Sequence, residues 1–217
     1  MTESQDSSAK AIRDLIAKAG HYLRSFSGPG IIEVHAGLDR WQSGSLSPVA
    51  SRHNPVVSAH LANAIGNIEH QPALASSIAA AAPHLPWVTY DLYDPAAIGE
   101  AFATSHAFAP IISEAGPMLA QDFELGLFLI APKIFYRDHN HAAPELYAPL
   151  TGPHGWRFAP GDSLQWKPAH EPVWNEPFRP HATKAGAVPF LCFYVWTANV
   201  NEPATVLPAS DWAAIEQ

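Results

Sequence analysis

From Phe108 onward the sequence is cut into short apolar or alternating runs by proline and glycine, and this punctuation constrains the fold more than any other feature. The runs are Phe108 to Ser113, Phe123 to Ala131, Ile134 to His139, Leu146 to Leu150, Gly155 to Phe158, Ser163 to Lys167, Val173 to Asn175 and Phe190 to Ala198. Segments of that length with turn signals between them predict strands. Eight of them in sequence predict an antiparallel sandwich or barrel, and a small barrel can hold one ligand at its mouth.

The first half is punctuated differently. Ile12, Leu15, Ile16, Ala19, Leu23 and Phe26 recur at a helical period, and Ser27-Gly28-Pro29-Gly30 ends that helix. Further helices are expected over Pro55 to Ile68, from Pro72 to before Pro83, and from about Pro95 with Ile98 and Phe102 inward. Ile31 to Asn54 shows no clear period and is expected to be a surface loop. The organisation predicted is a helical region over 1–105 packing on a barrel over 106–205, with 206–217 as a C-terminal tail. Two roles are open to the helices: cover for the barrel, or a homodimer interface.

Composition narrows the partners. In 217 residues, 47% are hydrophobic and 15% charged, which is ordinary for a folded domain. A formal net charge of -8 with no lysine or arginine cluster argues against a nucleic-acid surface. The first residues are polar and no apolar stretch approaches a membrane span, so no membrane partner and a cytoplasmic location are expected. The sole cysteine, Cys192, sits within an apolar run and has no intramolecular partner for a disulfide.

Chemistry concentrates in His139-Asn-His141, with Glu145 and Tyr147 following and His181 about forty residues on. On an extended strand residues two apart share a face, so both imidazoles can aim at one point. Glu145 can close on that point if the chain turns at Ala142-Ala143-Pro144. Three imidazoles and a carboxylate form a mixed nitrogen and oxygen set suited to Fe(II), Mn(II), Ni(II), Co(II) or Zn(II), with positions left for substrate. His154 and His170 compete with His181 as the distant ligand. No organic cofactor is called for.

The run His139, His141, Glu145, Gly152 resembles the first motif of the cupin superfamily, departing from it at Lys133, where the family has a leading glycine. A second motif is represented by His181 with Pro177 and Pro180 nearby, and Ala185 stands where an asparagine would close it. The stretch Trp87 to Trp196 is similar to the cupin-type dimethylsulfoniopropionate lyases, on Tyr136 to Tyr147, on Pro180-His181-Ala182 and on Pro189 to Trp196. The resemblance implies a mainly β protein: a cupin jelly-roll barrel in the C-terminal half, preceded by an α-helical region. It also implies metal ligands at His139, His141, Glu145 and His181, a catalytic base at Tyr147, and substrate contacts at Tyr136 and Trp196. Tyr194, in the same aromatic run, joins them as a pocket candidate.

The chemistry is consistent on its own terms. A divalent ion, with Fe(II), Zn(II) and Mn(II) the leading choices, would act as a Lewis acid on a substrate carboxylate. Tyr147 lies two residues beyond Glu145, hence on the same strand face, where a nearby dication would favour its phenolate, a base able to take a proton alpha to that carboxylate. Departure of a sulfide from the beta carbon then completes an elimination. Aromatic faces suit a sulfonium, at roughly 0.5 to 2 kcal/mol per cation-π contact. Two other readings share the scaffold: a dioxygenase or isomerase acting on another small carboxylate, and a non-catalytic cupin that senses a ligand.

Overall fold

The computed structural model describes residues 3–47 and 49–217. Four helices come first: α1 (Glu3–Leu23), α2 (Ile31–Trp41), α3 (Pro55–Gly66) and α4 (Pro72–Ala81). A 3-10 turn and the short helices α5 (Pro95–Ile98) and α6 (Glu100–Ala103) lead into the strands. Asn54 starts α3 where sequence expects it, its side-chain oxygen accepting from the Val56 amide at 2.9 Å with Pro55 in the first turn.

The strands are β1 (His106–Ile112), β2 (Glu124–Ile130), β3 (Phe135–Asn140), β4 (Glu145–Pro149), β5 (His154–Arg157), β6 (Gln165–Lys167), β7 (Val173–Asn175), β8 (His181–Ala185), β9 (Phe190–Trp196) and β10 (Thr205–Val206), followed by helix α7 (Trp212–Glu216). They form two five-stranded sheets, β1-β2-β9-β4-β7 and β10-β3-β8-β5-β6, with every strand pairing antiparallel. This is the mainly β jelly-roll expected, with helices ahead of it.

The first sheet is apolar on both faces because both are covered. Leu125, Leu127 and Leu129 of β2, Leu191, Phe193 and Val195 of β9 and Leu146 of β4 pack with the helices in one cluster. The alternate residues Phe128, Ile130, Tyr147, Phe190, Cys192 and Tyr194 form a second cluster inside the barrel. Strict alternation fixes register, since a slip of one residue would exchange the two faces.

Two expectations are corrected. The segment read as a loop over 31–54 contains α2, whose Ile31, Val34 and Leu38 are buried on one face while Gly37 packs against Phe123. Their spacing of three and then four residues is helical, but the helix opens after Gly30 without a side-chain cap, so no start signal marks it. Among the described residues ten strands form instead of eight. β8 escapes notice because its sequence, His-Ala-Thr-Lys-Ala, has no apolar alternation; small buried side chains let it sit between β3 and β5. β10 is only two residues long.

Candidate active site

The site is assembled by register on facing strands. His139 pairs directly with His181 across β3 and β8, and a bulge intervenes between the Tyr136 and His139 pairings. One extra residue on β3 brings both Tyr136 and His139 inward although they are three apart. Their rings stack with centroids 3.9 Å apart. The entry turn into β3 survives the missing glycine because Lys133 itself adopts φ 64°. Such a left-handed conformation is sparsely populated outside glycine and is held here by a hydrogen bond that the Lys133 backbone N–H donates to the Gly186 carbonyl at 2.9 Å.

All three histidines are oriented in the same way. The Nδ1–H of His139 donates to the Arg137 carbonyl at 2.8 Å, that of His141 to Ala143 at 2.8 Å, and that of His181 to Arg179 at 2.9 Å. Each backbone acceptor orients its ring so that Nε2 points inward, as a bare lone pair in His139 and His181. The three rings offer donor atoms within 4.8 Å of one another. Nε2 of His139 and of His181 are buried with no hydrogen-bond partner, while His141 Nε2 lies 3.0 Å from Glu145 Oε2. Buried polar atoms without partners are costly, and a shared cation is the species that satisfies converging imidazole lone pairs. The donor set therefore fits a divalent transition metal.

Glu145, the first residue of β4, borders this cluster. Its Oε2 is 3.6 Å from His181 Nε2, and its Oε1 accepts the Trp196 indole N–H at 2.7 Å. Burial pushes its carboxyl up, but the neighbouring His141, with His181 and Trp196, holds the net value below the ordinary range. Burial, reinforced by His141, lowers His139 to about 3, and burial with both neighbouring rings lowers His181 well below the ordinary value. These two rings are thus kept neutral, the form that binds metal.

A cavity of about 190 Å³ opens beside the cluster, walled by Glu145 and Tyr147 at one end and by Tyr136, Tyr194 and Trp196 among others. Its size suits a small substrate. Tyr147 is raised well above the ordinary phenol value by burial first and then by the charge of Glu145. Tyr136 donates to or accepts from Tyr93 at 2.6 Å, and Trp196 lies over His141 with centroids 4.7 Å apart. Trp196 thus touches Glu145 and His141 as well as the cavity.

The rival histidines point elsewhere. His154 donates to the Pro168 carbonyl and accepts from the Trp156 indole, and His170 bonds to Tyr22 and to the Glu69 carbonyl. Sequence reasoning missed Tyr90, Tyr93, Phe102, His106 and Glu124, all of which line the cavity. Glu124 offered one signal, a carboxylate opening an otherwise apolar strand. The tyrosines and Phe102 offered none, because they come from the connection that precedes the barrel.

The sequence profile of the dimethylsulfoniopropionate lyase family matches residues 42–192, more than half of the chain. A protein of Cereibacter sphaeroides, provisionally named dimethylsulfoniopropionate lyase DddL, is 28% identical over 168 residues, covering 74% of this chain and 68% of its own. A chain from the crystal structures of the lyases RdDddP and RnDddQII superposes with a TM-score of 0.77 at 18% identity, covering 93% of this chain and 100% of that one. The lyase DddQ of Ruegeria pomeroyi DSS-3 gives 0.73 at 19% identity, over 91% and 96% of the two chains. At those identities the two structures establish a shared fold.

Proposed function

The chain belongs to the dimethylsulfoniopropionate lyase family, and from that premise we propose that it cleaves dimethylsulfoniopropionate to dimethyl sulfide and acrylate by β-elimination. His139, His141, His181 and Glu145 would hold one divalent transition metal, with Fe(II), Zn(II) and Mn(II) the candidates. When bound, that ion supplies Lewis-acid stabilisation to the substrate carboxylate as charge develops on its oxygens.

The chain's own residues account for the rest. Tyr147 faces the cavity from the strand position two beyond Glu145, and as the phenolate, the form that a dication held nearby would favour over the burial-raised phenol, its oxygen would take the alpha proton. The electron pair of that C–H bond forms the new double bond, and the C–S pair leaves on sulfur, turning the sulfonium into a neutral sulfide. Tyr136 is clamped between Phe102 and His139, with centroids 4.0 and 3.9 Å away, so it forms a fixed wall against the substrate. Trp196 holds Glu145 through its indole N–H and offers its face to the cavity.

One observation carries the reading: three backbone-oriented imidazoles converge beside a small aromatic cavity that Glu145 and Tyr147 also border. Protein reloaded separately with Fe(II), Zn(II) and Mn(II) under anaerobic conditions should release dimethyl sulfide and equimolar acrylate from dimethylsulfoniopropionate, followed by gas chromatography and by acrylate absorbance. Absence of sulfide with every metal, together with oxygen uptake or turnover of a different small carboxylate, would replace the lyase with another reaction on this scaffold.

A further inference from the structure

The cavity has a second acidic end. Glu124 and Glu145 both pair with Trp196, from opposite sides of β9, so the two carboxylates lie in one row across three adjacent strands. Two interstrand spacings, about 10 Å between backbones, separate them. In the next row Gly126 and Tyr147 flank Tyr194. A side chain at Gly126 would strike the Tyr194 ring, since its Cβ would fall 2.5 Å from Cε1. The glycine lets the Tyr194 ring lie across β2, where its hydroxyl donates to Glu124.

Among the described residues no cationic side chain pairs with Glu124. The cavity is lined by aromatic rings, and among the described residues its lining includes no lysine or arginine. His106, which also lines the cavity, has both nitrogens committed, Nδ1–H to the Phe102 carbonyl at 2.7 Å and Nε2 accepting the Tyr90 amide at 3.1 Å. Burial pushes the Glu124 carboxyl up, opposed by the Tyr194 hydrogen bond. A carboxyl walled in by aromatic faces is a site for an organic cation, which would favour its ionised form and meet that charge and several ring quadrupoles together.

We infer that Glu124 is the specificity-determining residue that selects an onium headgroup, so that the site takes short carboxylates bearing a permanent positive charge at the far end. Resting on the lyase reading, this assigns the substrate its orientation: carboxylate toward Glu145 and the histidines, sulfonium against Glu124, Tyr194 and Trp196. The alpha carbon then falls between the two ends, next to Tyr147.

The test uses two ligands of one shape that lack the sulfonium leaving group. Calorimetry on the metal-loaded protein should show 3-(trimethylammonio)propionate binding at least about tenfold more tightly than 4,4-dimethylpentanoate, in which carbon replaces the charged nitrogen. Glu124→Gln, which can still accept the Tyr194 hydrogen bond, should erase that preference and raise KM for dimethylsulfoniopropionate by a similar factor. Equal binding of the two ligands by the wild type, or an unchanged preference in Glu124→Gln, overturns the inference. Should that variant not fold, Glu124→Asp must weaken the ammonium ligand more than its isostere, and equal weakening overturns it. The two readings fail separately. Wild-type protein that prefers the ammonium but yields no dimethyl sulfide sinks the lyase reading, and one that yields sulfide without charge preference sinks this one.

Discussion

At the scale of single residues, the division of labour between Tyr147 and Trp196 is what sequence and structure describe differently. The motif makes the histidines and Glu145 legible, because strand alternation alone puts His139 and His141 on one face. It cannot show that the Trp196 indole reaches back to Glu145 Oε1 at 2.7 Å, since those residues are 51 apart and meet only through the β4–β9 register. Two substitutions separate the roles. Tyr147→Phe keeps the ring and removes the oxygen proposed as proton acceptor, so kcat should fall on the order of a hundredfold or more while metal content stays at the wild-type level. Trp196→Phe keeps a ring over His141 and removes the donor to Glu145, so metal affinity itself should fall by on the order of tenfold, the scale of a lost ligand-orienting hydrogen bond. Competition with a chromophoric chelator measures the second effect, and an unchanged affinity would make Trp196 a lining residue alone.

Among the elements, α2 is the one that sequence reasoning misplaced, and it acts on the site at a distance. Helices α1, α3 and α4 were legible from their period or punctuation, with Pro55 at one start and Pro72 at another. By contrast α2 follows Gly30 with no side-chain cap, so the helical spacing of Ile31, Val34 and Leu38 comes without a start signal. Its Gly37 is in such close contact with Phe123 that an added Cβ would lie 2.0 Å from Cε2 of that ring. Phe123 immediately precedes Glu124, and α2 thereby holds the start of β2. Gly37→Ala opposes two effects. Helix propensity favours alanine by about 1 kcal/mol, whereas overpacking against a buried ring costs about 1 to 3 kcal/mol. The second should win, giving net destabilisation in urea unfolding together with a higher KM as Glu124 shifts. A net gain in stability would show that the helix is free to move away from the barrel.

For the molecule as a whole, the legible part was the alternation of the strands. The unread part was that one sheet serves two cores, with helices on its outer face and the cavity on its inner one. That enclosure has a consequence for pH. His106 and His154, both outside the metal cluster, are held neutral by burial, each at about 4. Geometry agrees, because in each ring one nitrogen accepts an N–H: Nε2 of His106 from the Tyr90 amide, and Nδ1 of His154 from the Trp156 indole at 2.6 Å. A proton on that nitrogen would face another donor. The unfolded chain titrates these rings near 6.5, so between about 6.5 and 4 it binds protons that the native state does not. Stability is therefore fully present above pH 6.5 and is lost as pH falls, by about 1.4 kcal/mol per unit for each ring within that window. His139 and His181 act in the same sense, and Glu124, pushed up by burial, acts in the opposite one. With four rings against one carboxyl, the urea midpoint should drop clearly from pH 7 to pH 5, and less steeply in His154→Gln. Equal midpoints at the two pH values would mean that the rings take up protons without leaving the fold, and that the enclosure around them opens readily to water.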